Sequence, residues 1–176
     1  HNLFLNNYKM NNTYISLTTF SGRLELVRYT IESLLRQNIC ADKIYLNISK
    51  DPYLIDEGIS EYPNWLKELV KNKKIEVSVV DNMGPYRKLI PIILKLKKED
   101  NIVICDDDVI YGEDWLKVLL SNSAKHPDDI ICMHSRKIRR ILNDTIESSY
   151  IYWPVFYGID YQANILPIGV GGVFYK

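Results

Sequence analysis

The chain has 176 residues, 47% hydrophobic and 25% charged, a soluble globular profile with enough length for one real core. Its 22 Lys plus Arg balance 22 Asp plus Glu, so bulk charge gives no case for nucleic-acid binding. No apolar run approaches the ~20 residues of a membrane span, and the N-terminus lacks a signal-peptide layout.

Cys40, Cys105 and Cys132 are scattered and odd in number, which reads as reduced core thiols of a cytoplasmic protein. The chain opens on His1 rather than Met, and residues 1–10 read as an extension to a single domain that begins near Asn11.

Thr13 to Phe20 is rich in β-branched and aromatic residues and predicts a first strand. Ser21-Gly22 turns the chain into a helix over 23–37, where Leu24, Val27, Ile31, Leu34 and Leu35 follow the 3.6-residue period. Lys43 to Ser49 predicts a second strand. A helix over 63–72 and a third strand over 75–81 follow. Gly84-Pro85 suits the start of a helix whose buried face is Leu89, Ile92, Ile93 and Leu96, broken or kinked at Pro91.

The run Ile102 to Cys105 predicts a buried strand that ends in Asp106, Asp107 and Asp108. Adjacent carboxylates repel, so positive charge belongs beside them, and oxygen-rich side chains suit a hard cation such as Mg²⁺ or Mn²⁺. If the chain stays extended there, Asp106 and Asp108 share a side and Asp107 points away. The competing reading is a solvated acidic turn before the next helix.

That helix is predicted over 113–125, and a fifth strand over 130–134. Alternation of strand and helix argues an α/β fold with an open, mostly parallel Rossmann-like sheet and flanking helices. In such sheets ligands bind beyond the carboxyl ends of the strands. Thr18, Thr19, Ser21 and Arg23 follow strand one, Asp51 follows strand two, Asp81 and Asn82 follow strand three, and the triplet follows strand four. Arg87 and Lys88, near a helix start, add positive charge for phosphate oxygens, or else form a solvated basic turn.

The segments TYISLTTFSGR, VRYTIESLLRQ, DKIYLNIS, GPYRKLIPII and NIVICDDDVIY, with Gly-Val-Gly-Gly downstream, resemble in order and spacing bacterial polysaccharide glycosyltransferases of the GT-A fold, the family 2-like type with an Asp-x-Asp motif. They span most of residues 13 to 120. The resemblance implies a nucleotide-diphosphate sugar donor, by default a UDP-sugar, bound through Mn²⁺ or Mg²⁺, and a glycan or lipid-linked acceptor. It implies that Asp108 ligates the metal and that Asp106 faces the ribose or the metal's waters, with Asp107 as the neighbouring acid. Thr18, Thr19 and Asp51 would border the base, and Lys88 would reach the diphosphate. Gly169, Gly171 and Gly172 would let backbone approach the donor sugar; otherwise they form a bulge or tight bend in an edge strand.

A carboxylate base would follow the Gly-rich strand in similar enzymes, and Asp160 is the acid nearest before these glycines. Residues 150–176 would begin the acceptor side, where Trp153, Phe156, Tyr157 and Tyr161 form either an acceptor platform or plain core. His134 reads more readily as a structural residue than as a ligand. Peripheral association with the inner membrane face is compatible with such acceptors. Two alternatives stay open: metal-dependent phosphoryl transfer, because Asp-Asp-Asp-Val is similar to the haloacid-dehalogenase motif, and a non-catalytic nucleotide-sugar-binding module.

Overall fold

The computed structural model describes residues 11–140, 149–158 and 164–176. Four strands, β1 (Thr13–Thr18), β2 (Lys43–Ile48), β3 (Glu76–Val79) and β4 (Asn101–Ile104), pair in parallel in the order β3-β2-β1-β4. Among the described residues three helices of eight or more residues accompany them: α1 (Val27–Leu35), α2 (Asn64–Lys71) and, after β4, α4 (Trp115–Lys125). The shorter α3 (Ile90–Ile93) lies between β3 and β4.

The pleat sorts side chains between two apolar layers. Val103 and Cys105 join Ile15, Leu17, Val27, Ile31 and Leu116 in the larger layer. Ile102 and Ile104 face Tyr45, Ile92 and Val173 in the smaller one. A strand buried on both faces has to be apolar throughout, and β4 is.

Beyond β4 the sheet departs from pure alternation. The predicted fifth strand shortens to β5 (Ile131–Cys132), and the chain continues into β6 (Ser135–Lys137). With β7 (Val155–Phe156) and β8 (Ile165–Pro167), β6 makes a second, antiparallel sheet in the order β7-β6-β8. The final strand β9 (Val173–Tyr175) returns to the main sheet and lies antiparallel between β4 and β5. The glycine run before it is therefore interior to the sheet region, not at an edge.

The predicted helix over 23–37 is shorter than its periodicity suggests. A 3-10 turn at Ser21–Arg23 precedes α1, which starts at Val27. Likewise Gly84–Lys88 is a 3-10 turn, and α3 begins only at Ile90 with Pro91 in its first turn. Pro91 lacks an N–H and fits the first turn of a helix but not its interior, so the two segments separate there. Gly84 adopts φ +60, the left-handed conformation that glycine enters without strain.

Candidate functional site

The carboxyl ends of β1 to β4 open into a cleft of about 330 Å³. Each parallel strand delivers part of its lining. Thr18, Thr19 and Arg23 come after β1, Tyr53 to Asp56 after β2, Asn82 to Lys88 after β3, and Cys105 to Asp108 after β4.

The positive charge expected beside the aspartates comes from the chain itself. Lys88 Nζ donates to Asp106 Oδ1 at 2.5 Å. Arg23 Nη1 lies 2.9 Å from both Asp107 Oδ1 and Asp108 Oδ2. Its bond to Asp107, together with the neighbouring carboxylates, holds the guanidinium pKa above its ordinary value despite partial desolvation. Thr19 Oγ1 donates to Asp107 Oδ2 at 2.6 Å, and Thr30 Oγ1 to the Asp107 carbonyl at 2.8 Å. Asp107 is therefore a buried anchor, whereas Asp108 is half exposed.

This corrects the expected alternation, since Asp107 and Asp108 share one arginine. The sheet ladder that enforces an extended pleat runs out at Ile104, and the chain bends at Asp107 and Asp108.

Other expectations divide in the same way. Thr18, Thr19, Arg23, Lys88 and all three aspartates line the cleft. Arg87 does too, but it is 4% exposed and its Nη1 sits 3.0 Å from Asp56 Oδ2, so it is an internal ion pair rather than a free phosphate clamp. Asp51 is exposed and outside the lining; its carbonyl accepts from Asn82 Nδ2 at 2.8 Å. Asp160 and Tyr161 lie outside the described residues.

Asp56 is the acid the sequence reading missed. Its Oδ1 accepts the Ser21 N–H at 3.0 Å and the Gly58 N–H at 3.1 Å, and its Oδ2 lies 3.2 Å from Asn82 Nδ2. Burial pushes this carboxyl up, but the two N–H donors, Arg87 and Asn82 outweigh it and hold the pKa below the usual value. One side chain thus ties together the turns after β1, β2 and β3. Its position eight residues beyond β2 hid it, because a loop acid carries no periodic signal.

The same loop supplies an apolar wall. Tyr53 and Asp56 pair as an isolated bridge, Leu54 sits at φ +54, and Leu54 and Ile55 are 87% and 77% exposed at the cleft.

The glycine run divides between the cleft and the core. A Cβ at Gly169 would overlap Asp106 Oδ1 and Lys88 Nζ, so this glycine lies directly against the ion pair. Gly171 is crowded by the His134 backbone and by Met133, and Gly172, at φ +83, by the Trp115 indole. The Cβ sides of these two glycines thus face protein.

Tyr111 and Trp115 hold the run in place. The Tyr111 hydroxyl accepts the Asp106 N–H at 3.1 Å and donates to the Val170 carbonyl, and Trp115 Nε1 donates to the Gly171 carbonyl at 2.8 Å. Burial raises the Tyr111 phenol well above its ordinary pKa, which keeps it neutral and able to play both parts. His134 meets the Tyr157 ring edge-on at 6.4 Å, a structural contact.

The donor chemistry fits a hard divalent cation. Asp106 Oδ2 and Asp108 Oδ1 remain outside the ion pairs with Lys88 and Arg23. Among the described residues no group of three or more His, Cys, Asp or Glu gathers as a metal cluster. A cation here would complete its shell with substrate oxygens and water, as Mg²⁺-type sites do. Among the described residues no helix is long and apolar enough to cross a membrane.

No protein-family model matches the sequence, and no curated protein matches it significantly. Several solved structures are similar in fold. CMP:2-keto-3-deoxy-manno-octonic acid synthetase complexed with CTP aligns over 94% of this chain and 74% of its own, at 12% identity and TM-score 0.54. The 4-diphosphocytidyl-2C-methyl-D-erythritol synthase from Anaerococcus prevotii DSM 20548 aligns over 82% of this chain and 67% of its own, at 11% identity and TM-score 0.52. S. aureus TarS aligns over 78% of this chain and 23% of its own, at 14% identity and TM-score 0.50. The chain spans 43% of the length of the TarS 1–349 structure. The fold is thus the α/β type of GT-A, nucleotide-diphospho-sugar transferases.

Proposed function

We propose that this chain binds a nucleotide-diphosphate sugar, by default a UDP-sugar, and transfers the sugar to a glycan or lipid-linked acceptor. The observation that carries the reading is the cleft itself, where four parallel strand ends bring Lys88, Arg23 and the Asp106–Asp108 triplet around one space. The apolar wall of Tyr53, Leu54 and Ile55 suits a base, while Thr18 and Thr19, which line the same cleft, donate their hydroxyl protons to the Asn47 carbonyl and to Asp107. Lys88 spends one of its three N–H donors on Asp106 and keeps two for diphosphate oxygens.

Asp106 and Asp108 would hold Mn²⁺ or Mg²⁺. The ion, when bound, supplies charge neutralisation on the diphosphate leaving group. In the transfer, the acceptor oxygen bonds to the anomeric carbon while the bond from that carbon to the phosphate oxygen breaks. The electron pair departs with the diphosphate, where the Lys88 ammonium stabilises it. The acceptor proton passes to a carboxylate, for which Asp160 is proposed.

A second reading is favoured by the two cytidylyl enzymes of the same fold, one of them holding CTP. In that reading the chain transfers a nucleotidyl group from a nucleoside triphosphate. The haloacid-dehalogenase-type alternative finds less support, because β1 ends at Thr18 and is followed by Thr19 rather than by the acid that chemistry places after the first strand.

Isothermal titration of UDP, GDP, CDP and CTP, with and without Mn²⁺, tests both. Mn²⁺-dependent binding of one diphosphate, lost in Asp106→Ala/Asp108→Ala, supports glycosyl transfer. Preference for CTP over every diphosphate supports the second reading, and no binding to any nucleotide overturns both.

A further inference from the structure

The cleft carries its own counter-ions, and their number is uneven. Arg87 and Asp56 neutralise each other. Arg23 and Lys88 then stand against Asp106, Asp107 and Asp108, which leaves one formal negative charge. A divalent cation entering alone would turn that balance positive beside two fixed cations. A diphosphate entering alone would add its charge to three carboxylates. Entering together they leave the balance close to where it began, so each lowers the electrostatic cost of the other.

Arg23 is the residue on which this balance turns. Its Nη1 spans Asp107 Oδ1 and Asp108 Oδ2, both at 2.9 Å. The two contacts are unequal. Asp107 is buried and also accepts from the Thr19 hydroxyl at 2.6 Å, so that side of the bridge is fixed. Asp108 is half exposed, and its contact is the one the guanidinium can give up without stranding a buried charge.

The surroundings give Arg23 room to turn. Its Cζ lies 5.3 Å from the centroid of the Phe20 ring, an aromatic support that also lines the cleft. That ring lies against Gly22, where a Cβ would come within 2.8 Å of it. The Arg23 side chain is 38% exposed. Both carboxylate contacts use Nη1, and the guanidinium fork carries further N–H donors of the kind that bind phosphate oxygens. Lys88 makes the matching contact with Asp106, but it is more buried and is hemmed in by Gly169.

We propose that Arg23 competes with a divalent cation for Asp108 and turns onto diphosphate oxygens when nucleotide and cation enter together. The cleft thereby takes the cation as a partner of the diphosphate and disfavours the cation alone. This role rests on the nucleotide-diphosphate reading of the same site and deepens it. Such coupling is reciprocal: nucleotide tightens Mn²⁺ by the factor by which Mn²⁺ tightens nucleotide.

The test follows free Mn²⁺ by electron paramagnetic resonance, first with the full chain alone and then with UDP, GDP or CDP, corrected for chelation in solution. Arg23→Gln should tighten Mn²⁺ alone by about fivefold or more, because one competing charge is gone. The same variant should weaken diphosphate binding in the presence of Mn²⁺ by about tenfold. Damage to the fold would weaken both, so opposite signs separate this role from a structural one. Arg23→Lys keeps the charge and should leave the affinity for Mn²⁺ alone within about twofold of the native value. Asp107→Asn compared with Arg23→Gln/Asp107→Asn repeats the measurement with no buried charge left unpaired, and the same gain for Mn²⁺ alone is expected. Lys43→Gln, at the amino end of β2 and paired with Glu76, removes one charge far from the cleft and should alter neither ligand.

Unchanged or weaker binding of Mn²⁺ alone in both Arg23→Gln comparisons would overturn the proposal. So would a native chain that binds Mn²⁺ as tightly alone as with nucleotide. Failure of every diphosphate to bind, with or without Mn²⁺, is a different result: it overturns the donor-site reading and this proposal with it.

Discussion

Arg87 and Asp56 face each other at 3.0 Å with 4% and 5% of their side chains exposed. They join the turn after β3 to the loop after β2. Arg87 Nη1 makes no well-aligned hydrogen bond, so the contact is chiefly charge on charge. Removing one partner strands the other in a low-dielectric site, which typically costs about 3–5 kcal/mol. Arg87→Met should therefore lower the urea midpoint strongly.

The pair also sets an acid limit. The folded-state pKa of Asp56 is lowered, so its contribution is fully present above the unfolded value near 3.8 and is lost as pH falls through the lower folded value. Urea midpoints should fall below about pH 4 in the native chain. Asp56→Asn should be less stable at neutral pH and show a shallower decline in acid. A parallel decline in the two proteins would show that Asp56 is not the group responsible.

The three aspartates should separate on mutation. Asp107 is buried and accepts from Thr19 and Arg23. Asp107→Ala should cost about 1–3 kcal/mol of folding stability, read as a lower thermal midpoint. Asp108→Ala, half exposed, should stay within ~0.5 kcal/mol of the native chain. Its effect should appear instead in Mn²⁺-dependent nucleotide titration.

Two glycines give a second contrast. Gly169→Ala pushes on the far ends of Lys88 and Asp106, which can swing away, so the fold should survive and nucleotide affinity should fall. Gly172→Ala meets the rigid Trp115 ring at φ +83, and both ring and backbone must shift. That variant should lose several degrees of thermal stability. Circular dichroism melts beside nucleotide titration separate the two outcomes.

Thiol labelling checks the packing around β4. Cys40 is exposed, Cys105 is buried and Cys132 is intermediate. Burial pushes the Cys105 thiol up, with Lys88 pulling the other way, and burial also raises Cys132. A disulfide reagent at pH 8 should titrate one thiol quickly and the other two only slowly or on denaturation. Rapid reaction of Cys105 would mean that the cleft reaches deeper than the core layer allows.

Much of the scaffold was legible because it follows from local periodicity. The alternating burial of Ile102 to Cys105, the spacing of Val27, Ile31 and Leu34, and the runs of β1 and β2 needed only the residues themselves. Their order also fixed which loops gather at one sheet edge, and so brought Thr19, Arg23, Lys88 and the triplet to one place. A need for positive charge beside three aspartates was equally plain from electrostatics.

Which charge answers it was decided only in three dimensions. Arg23 and Lys88 lie 84 and 18 residues from the partners they bind, Asp107 and Asp106, and no spacing rule links such positions. Arg87 and Lys88 are neighbours in the chain, yet one is buried on Asp56 and the other reaches Asp106, because a 3-10 turn points adjacent side chains in different directions. The insertion of β9 between β4 and β5, which turns Gly172 onto Trp115 and Gly169 onto Asp106, depends on strand pairing across more than forty residues. Sequence patterning specified the faces of each element; long-range pairing of charges and strands specified the site.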